Sequence, residues 1–189
     1  MPQQPSSLSP VRQARRERIL VRAEALFVSF GVRGVTMEAV ADEVGMSKVT
    51  VYGYFKDKHD LFEAVASGVA DRLRAAVDAE LVKDGTPAAL MTAALAAKHF
   101  AVWDLVRNSA FASELFAAKS EFASNTFMAL DETIEAALAK TLKRHKISRP
   151  RARARILFGA ANGIANRASS KSVLKRDLAL LVSHLVRED

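Results

Sequence analysis

Residues 36 to 55 read TMEAVADEVGMSKVTVYGYF. Thr36 is a good N-cap, because its hydroxyl can accept an N–H that the first helical turn leaves unpaired. Met37, Val40, Ala41 and Val44 then share one face of a short helix. Gly45 breaks that helix, and a positive φ is expected there, where a side chain would clash. Ser47 is a second N-cap and opens a helix of barely two turns, ending at Gly53. In it Val51 and Phe55 point inward, and Thr50 and Tyr54 point elsewhere. Two short helices joined by a glycine turn have the form of a helix-turn-helix, whose second helix enters the ~12 Å major groove of DNA.

The second helix carries side chains suited to that groove. Lys48 can donate to guanine O6 and N7, and Val49 can pack on a thymine methyl. Ser47 and Thr50 bring hydroxyls for a base or a phosphate. Tyr52 and Tyr54 offer phenols to phosphates, and Lys58, in the first turn of the next helix, reaches the backbone beside helix-end N–H groups. Gly53 has no side chain, so readout there is absent or made by backbone. Taken alone, the segment also reads as a plain helical hairpin, with Thr36 and Ser47 as caps and Tyr52 as a core aromatic.

Outward from this stretch the chain reads as helices throughout. Residues 1–10 (MPQQPSSLSP) form a disordered lead-in. A helix is expected from about Val11 to Phe30, with Ile19, Ala23, Leu26, Phe27 and Phe30 as its apolar stripe and Gly31 at its end. Arg12, Arg15, Arg16, Arg18 and Arg22 crowd its first half. Asp57 caps a long helix, Lys58 to about Val82, with Asp60 placed as in a capping box. Lys83-Asp84-Gly85-Thr86-Pro87 is a turn. Helices of about 87–106, 109–118, 120–146, 149–168 and 172–187 follow, the fourth capped by Ser148 with Pro150 in its first turn. No strand and no internal repeat is evident.

Composition sets outer bounds. The 189 residues suffice for one or two domains, and half are apolar. The absence of cysteine removes disulfides and thiolate metal sites and fits a reducing, cytoplasmic setting. No uninterrupted apolar run approaches ~18 residues, and the N-terminus does not read as a signal peptide. The net charge of +7 attracts polyanions, but residues 1–60 hold nine Lys/Arg against seven Asp/Glu. The densest basic run is Lys140, Lys143, Arg144, Lys146, Arg149, Arg151, Arg153 and Arg155, with no acid among residues 140–155. It reads as a solvated corner between helices, with an anionic ligand or acidic partner as the alternative.

The spacing of Ile19, Ala23, Leu26-Phe27 and Gly31, the Gly34-Val35-Thr36 entry, Val40-Ala41 with Val44-Gly45, the run Met46 to Phe55, and Lys56-Asp57-Lys58 with Leu61 resemble the DNA-binding domain of TetR/AcrR bacterial regulators. The resemblance runs from about Arg16 to Phe62. It implies an all-α fold of about nine helices: a three-helix helix-turn-helix domain over residues 11–57, then a larger helical ligand-binding and dimerisation domain over residues 58–189. The family's DNA contacts carry over to Thr36, Ser47, Lys48, Thr50, Tyr52, Tyr54 and Lys58. Two positions depart from common patterns, Gly53 and Tyr54. Glu38 stands where some members place a basic base-reading residue.

For the C-terminal part the resemblance implies a small-molecule effector and a homodimer. Six of the thirteen aromatics lie between Phe100 and Phe127. Such a cluster can line an apolar pocket closed by a few polar groups, or it can be ordinary core. The pocket candidates are His99, Phe100, Trp103, Phe111, Phe122, Asn125, Met128 and Asn162. Leu174, Leu178, Leu181 and Leu185 form a helical stripe, and Gly159 and Gly163 sit four apart. These six are the dimer-interface candidates, in a four-helix bundle made by two helices from each subunit. Scattered histidines and the absence of HExxH, GxSxG or Walker A spacing give an enzyme, a metal or a cofactor no support. The expected function is a cytoplasmic regulator, acting as a repressor on a palindromic operator and released by an effector. A ligand-independent architectural DNA binder, and a helical ligand-binding protein with a vestigial hairpin, remain as alternatives.

Overall fold

The computed structural model describes residues 9–107 and 109–187, so residues 1–8 of the expected lead-in lie outside the described residues. Nine α-helices are found among the described residues, and no strand. They are α1 (Pro10–Gly34), α2 (Met37–Val44), α3 (Lys48–Tyr52), α4 (Lys58–Leu81), α5 (Pro87–Val106), α6 (Ala112–Phe122), α7 (Ser124–Arg144), α8 (Pro150–Ala165) and α9 (Lys171–Leu185). The all-α expectation holds. The boundary between α6 and α7 falls at Ala123, later than expected, in a stretch with no glycine or proline to mark it.

The chain forms two compact units. The first is residues 1–68 with 109–124; the second is residues 69–108 with 125–189. The division differs from a cut at residue 57, because the start of α4 and all of α6 group with the helix-turn-helix.

In the first unit, Ile19, Ala23 and Phe27 of α1, Met37, Val40, Ala41 and Val44 of α2, and Val51 and Phe55 are buried. Phe30, expected on the α1 stripe, is exposed. Its helix is interrupted one residue later at Gly31, whose φ of 71° and ψ of 169° lie in a region essentially reserved for glycine. α6 packs against α1 at this point. The Arg33 N–H donates to Glu114 Oε1 at 2.7 Å, and the Ser109 hydroxyl donates to the Val28 carbonyl at 2.6 Å. An aromatic chain joins α1, α4 and α6: Phe27 meets Phe62 edge-on at 5.4 Å, Phe62 meets Phe122 at 6.4 Å, and His59 stacks on Phe122 at 4.3 Å.

The second unit is built round α5, whose contacts with α8 and α9 form its centre. By length and composition α5 could cross a membrane. Leu130, Ile134, Leu138 and Leu142 of α7 recur every four residues and are buried, as are Leu174, Leu178 and Val182 of α9. Two arginines of the basic run close helix ends. Arg144 donates to the Leu81 carbonyl at the end of α4 (3.1 Å), and Arg153 to the Leu185 carbonyl at the end of α9 (2.9 Å). Guanidinium groups there satisfy carbonyls that a helix C-terminus leaves unpaired. Ser148 does not cap α8: its hydroxyl accepts from Arg153, and Arg149 holds the cap position at a φ of 48°.

Candidate nucleic-acid interface

The surface that sequence reasoning assigns to DNA is assembled by three caps. The Thr36 hydroxyl accepts from the Ala39 N–H (3.1 Å) and starts α2. Gly45 adopts φ 62° and ψ 42°, as expected, and its N–H returns to the end of α2. The Ser47 hydroxyl accepts from the Thr50 N–H (3.2 Å) and starts α3. Ser47 and Thr50 also share a hydroxyl–hydroxyl bond of 2.8 Å. Two hydroxyls hold two protons, and their mutual bond uses one. The other can point outward to an acceptor, such as a phosphate.

Val51 is the anchor of α3, fully buried, and it turns Val49 and Tyr52 outward. Val49 is 82% exposed, so its methyl groups are open to an apolar surface such as a thymine methyl. Tyr52 lies beside Lys48, whose ammonium is 5.7 Å from the ring centroid. Lys48 also forms an ion pair with Glu38 in the first turn of α2. That pairing holds the Glu38 carboxyl below its ordinary range and raises the Lys48 ammonium above its own. Both groups are therefore charged at neutral pH, and both remain about half exposed.

Both backbone groups of Gly53 have partners within the protein. Its N–H is committed to the Val49 and Thr50 carbonyls, and its carbonyl accepts from Arg12 Nη2 at 3.1 Å. A Cβ there would lie 3.2 Å from the Thr50 oxygen, so glycine permits a tight close of α3. Tyr54 is half-buried beneath the Arg12 guanidinium, 5.4 Å from its centroid. Asp57 and Asp60 form a reciprocal cap on α4: Asp57 Oδ1 accepts from the Asp60 N–H, and Asp60 Oδ2 from the Lys56 N–H. The bond from the Asp60 N–H is the main cause that lowers the Asp57 carboxyl. The cap sets the first turn of α4, which carries Lys58.

The arginines of α1 were not assigned a role by sequence reasoning, and the structure gives them one. Arg12 holds α3 as described, Arg16 covers the Phe55 ring, Arg18 donates to the Val44 carbonyl at the end of α2, and Arg22 pairs with Glu43 at 3.5 Å. The repeated four-residue spacing of 12 and 16, and of 18 and 22, was the available signal.

The remaining predicted residues do not form one group. Phe111 and Phe122 belong to the first unit, where Phe122 is engaged by His59 and Phe62, so the aromatic run divides between the two units. Asn125 and Met128 are exposed. In the second unit His99 is buried, with Phe100 and Trp103 half-buried. Its neighbour Lys98 is only 8% exposed and donates to Asn162 Oδ1 at 2.7 Å, with its ammonium 4.2 Å from the Phe158 centroid. Burial, then the nearby Lys98 charge, lowers His99 to a pKa of about 4, and its Nε2 has no hydrogen-bond partner.

Leu174 and Leu178 are fully buried within their own subunit, so they cannot be interface residues. Leu181 and Leu185 are half-buried against the same core. The stripe faces inward because α9 packs on α5 and α8. Gly159 and Gly163 are on an open face, where an added Cβ would meet nothing within 4 Å.

Comparison with known proteins fits this arrangement. Residues 19–65 match the family model of bacterial regulatory proteins of the tetR family. The transcriptional activator FasR of Mycolicibacterium smegmatis is 35% identical over 75 residues, which cover 35% of this chain and 34% of FasR. The regulator YhgD of Bacillus subtilis is 31% identical over 64 residues, 34% of each chain. The match thus spans about a third of each of these relatives. Among solved structures, a transcriptional regulator from Rhodococcus sp. Rha1 superposes with a TM-score of 0.71 over 90% of this chain and 95% of its own, at 21% identity. FadR from Bacillus subtilis, in complex with stearoyl-CoA, does so with a TM-score of 0.65 over 90% of this chain and 97% of its own, at 16% identity. These likenesses give the fold. The helix-turn-helix segment, residues 19–65, is the part whose sequence matches the tetR family of bacterial regulatory proteins.

Proposed function

We propose that the protein is a homodimeric repressor that binds a palindromic operator through α2, α3 and the start of α4, and is released by a small-molecule effector held in the second unit. The observation that carries the DNA reading is the surface of α3: Ser47, Lys48, Val49, Thr50 and Tyr52 lie on or beside an outward face held by the buried Val51 and two side-chain caps. Thr36, Tyr54 and Lys58 supply contacts to the sugar–phosphate backbone.

A twofold operator places two reading helices about 34–36 Å apart, which a dimer satisfies. The face of α8 and α9 turned away from the core carries Ile156 (46% exposed), Gly159, Gly163 and Leu180 (61% exposed). Small residues there allow another subunit's helices to approach closely, and these four replace the buried leucines as the proposed interface. For the effector, the buried pair Lys98 and His99 with Asn162 brings polar groups into a largely apolar interior, a composition that suits a ligand with an apolar body and a polar head. FadR, of the same fold, holds an acyl thioester. The effector acts by favouring a conformer whose reading helices are wrongly spaced, with leverage limited to its differential affinity.

Selection of bound sequences from random DNA pools tests the whole reading. A palindromic consensus is expected, with Tyr52→Ala and Thr50→Ala weakening binding to it while thermal unfolding stays unchanged. Unchanged affinity in both variants would refute the assignment of α3. Activation rather than repression, the role in FasR's name, would appear as increased transcription from a template carrying the selected site.

A further inference from the structure

The first turn of α1 and the end of the reading helix meet at Arg12. Its Nη2 donates to the Gly53 carbonyl at 3.1 Å, and its guanidinium lies over the Tyr54 ring, 5.4 Å from the centroid. We propose that Arg12, together with the Tyr54 hydroxyl, holds one phosphate of the DNA backbone in each half-site. This rests on the operator-binding reading above, which gives Tyr54 a backbone contact and gives α1 none.

A side chain that seats a phosphate needs its charge intact, its position fixed and an open side. Arg12 is exposed, has no ion pair among the described residues and is held at two points. The other arginines in the first half of α1 differ. Arg22 loses part of its charge to Glu43, and Arg16 is half-buried over the Phe55 ring. Arg15 is exposed, but no hydrogen bond or ion pair among the described residues fixes it. Arg18 is fixed, but at the end of α2 rather than of the reading helix.

The bond to Gly53 also changes what the end of α3 presents. The last carbonyls of a helix lack partners within it, and their oxygens repel phosphate oxygens. At Gly53 that oxygen is covered by a guanidinium N–H. One of the five donors of arginine is used there, and the planar group can still offer a pair of N–H groups to two phosphate oxygens. The Tyr54 ring limits how far the guanidinium can swing, so part of its side-chain entropy is lost on folding and not again on binding. The Tyr54 hydroxyl makes no hydrogen bond among the described residues, and its proton is available to the same phosphate.

The experiment titrates full-length wild type, Arg12→Gln, Arg12→Lys, Arg15→Gln, Tyr54→Phe and the Arg12→Gln/Tyr54→Phe double variant on the selected operator. Operators with single base changes and several salt concentrations are included, and thermal unfolding checks the fold. Glutamine can keep a donor on the Gly53 carbonyl while removing the charge. Arg12→Gln should weaken binding to every operator by the same factor, roughly tenfold, and lower the salt slope by about one unit. Arg12→Lys, which keeps the charge without the planar group, should keep the slope and lose less affinity. Arg15→Gln should lower the slope less than Arg12→Gln does. Tyr54→Phe keeps the ring and removes the hydroxyl; it should cost roughly threefold with an unchanged slope, and less once residue 12 is glutamine, because one phosphate is shared. An Arg12→Gln protein that binds like wild type overturns the proposal. So does a changed base preference, since Arg12 would then only set the angle of α3. An equal fall in slope for Arg12→Gln and Arg15→Gln overturns it too, leaving a diffuse positive field in place of a seat. If wild type selects no DNA at all, the operator-binding reading fails first, and that is seen before any variant is compared.

Discussion

Replacing Gly31 with alanine is the sharpest available test of how the first unit is held together. Gly31 has φ 71° and ψ 169°, a conformation that costs a residue with a Cβ about 1–3 kcal/mol. Space is also short. A Cβ built there lies 2.8 Å from Glu114 Oε2, 2.9 Å from its carboxyl carbon and 3.0 Å from Oε1. The obstacle is the end of a flexible side chain, so Glu114 can swing aside. Doing so loses its bond from the Arg33 N–H, a charge-assisted bond worth about 1–2 kcal/mol at a half-buried site. Alanine also restricts the unfolded chain, which returns about 0.4–1 kcal/mol. The net cost is about 1–4.5 kcal/mol.

Urea denaturation of wild type, Gly31→Ala, Glu114→Ala and the double variant separates the two contributions. Backbone strain is the same whether or not Glu114 is present. The steric part vanishes once Glu114 is truncated. Gly31→Ala should therefore cost about 1–2 kcal/mol less in the Glu114→Ala background, a coupling well outside ordinary additivity error. A cost that is equal in both backgrounds would show that the carboxylate contact has no energetic role. A neutral Gly31→Ala would refute the strain argument itself.

Two other outcomes follow from the second unit. Leu180→Glu, at an exposed site, should give monomers in sedimentation with an unchanged unfolding temperature, whereas Leu178→Ala, at a fully buried one, should lose about 2–5 kcal/mol of stability; a Leu180→Glu protein that remains dimeric would move the interface elsewhere. His99 is held neutral with a pKa of about 4, below the ordinary 6.5, so between these values the unfolded chain binds a proton that the folded one refuses. Stability should fall as pH drops through that window, by up to roughly 3 kcal/mol, and His99→Gln should flatten the slope there; an unaltered slope would refute the assignment.

The helix-turn-helix was legible because its determinants are local. Thr36, Gly45 and Ser47 fix three chain reversals through bonds to residues no more than four positions away, and local bonds leave their mark in spacing. The aromatic run from Phe100 to Phe127 was legible as apolar but not as to place. What ties α6 to the first unit is a set of contacts about 60 to 80 positions apart in the sequence, Glu114 with Arg33, Ser109 with Val28 and Phe122 with Phe62 and His59, and no periodicity encodes them. The leucine stripe of α9 failed for a related reason. A stripe at i, i+4, i+7 states that a face is buried without saying by what. In α9 the partner proved to be α5 of the same chain. The glycines of α8, on the opposite side, were the better guide to an open face.

The same local accounting bears on how DNA would be selected. Residues 1–60 carry nine cationic side chains, and several are already committed within the unit: Arg12 to the Gly53 carbonyl, Arg18 to the Val44 carbonyl, Arg22 to Glu43 and Lys48 to Glu38. Non-specific binding grows with the number of phosphates neutralised, each released counterion adding to the salt dependence. The ion pairs of Arg22 and Lys48 offset part of their attraction for phosphates, whereas Arg12 and Arg18, bonded to neutral carbonyls, keep their full charge. Seven acidic side chains against nine basic ones over residues 1–60 lower the background of non-specific binding, and so raise the ratio of specific to non-specific affinity that a regulator needs in a genome of competing sites.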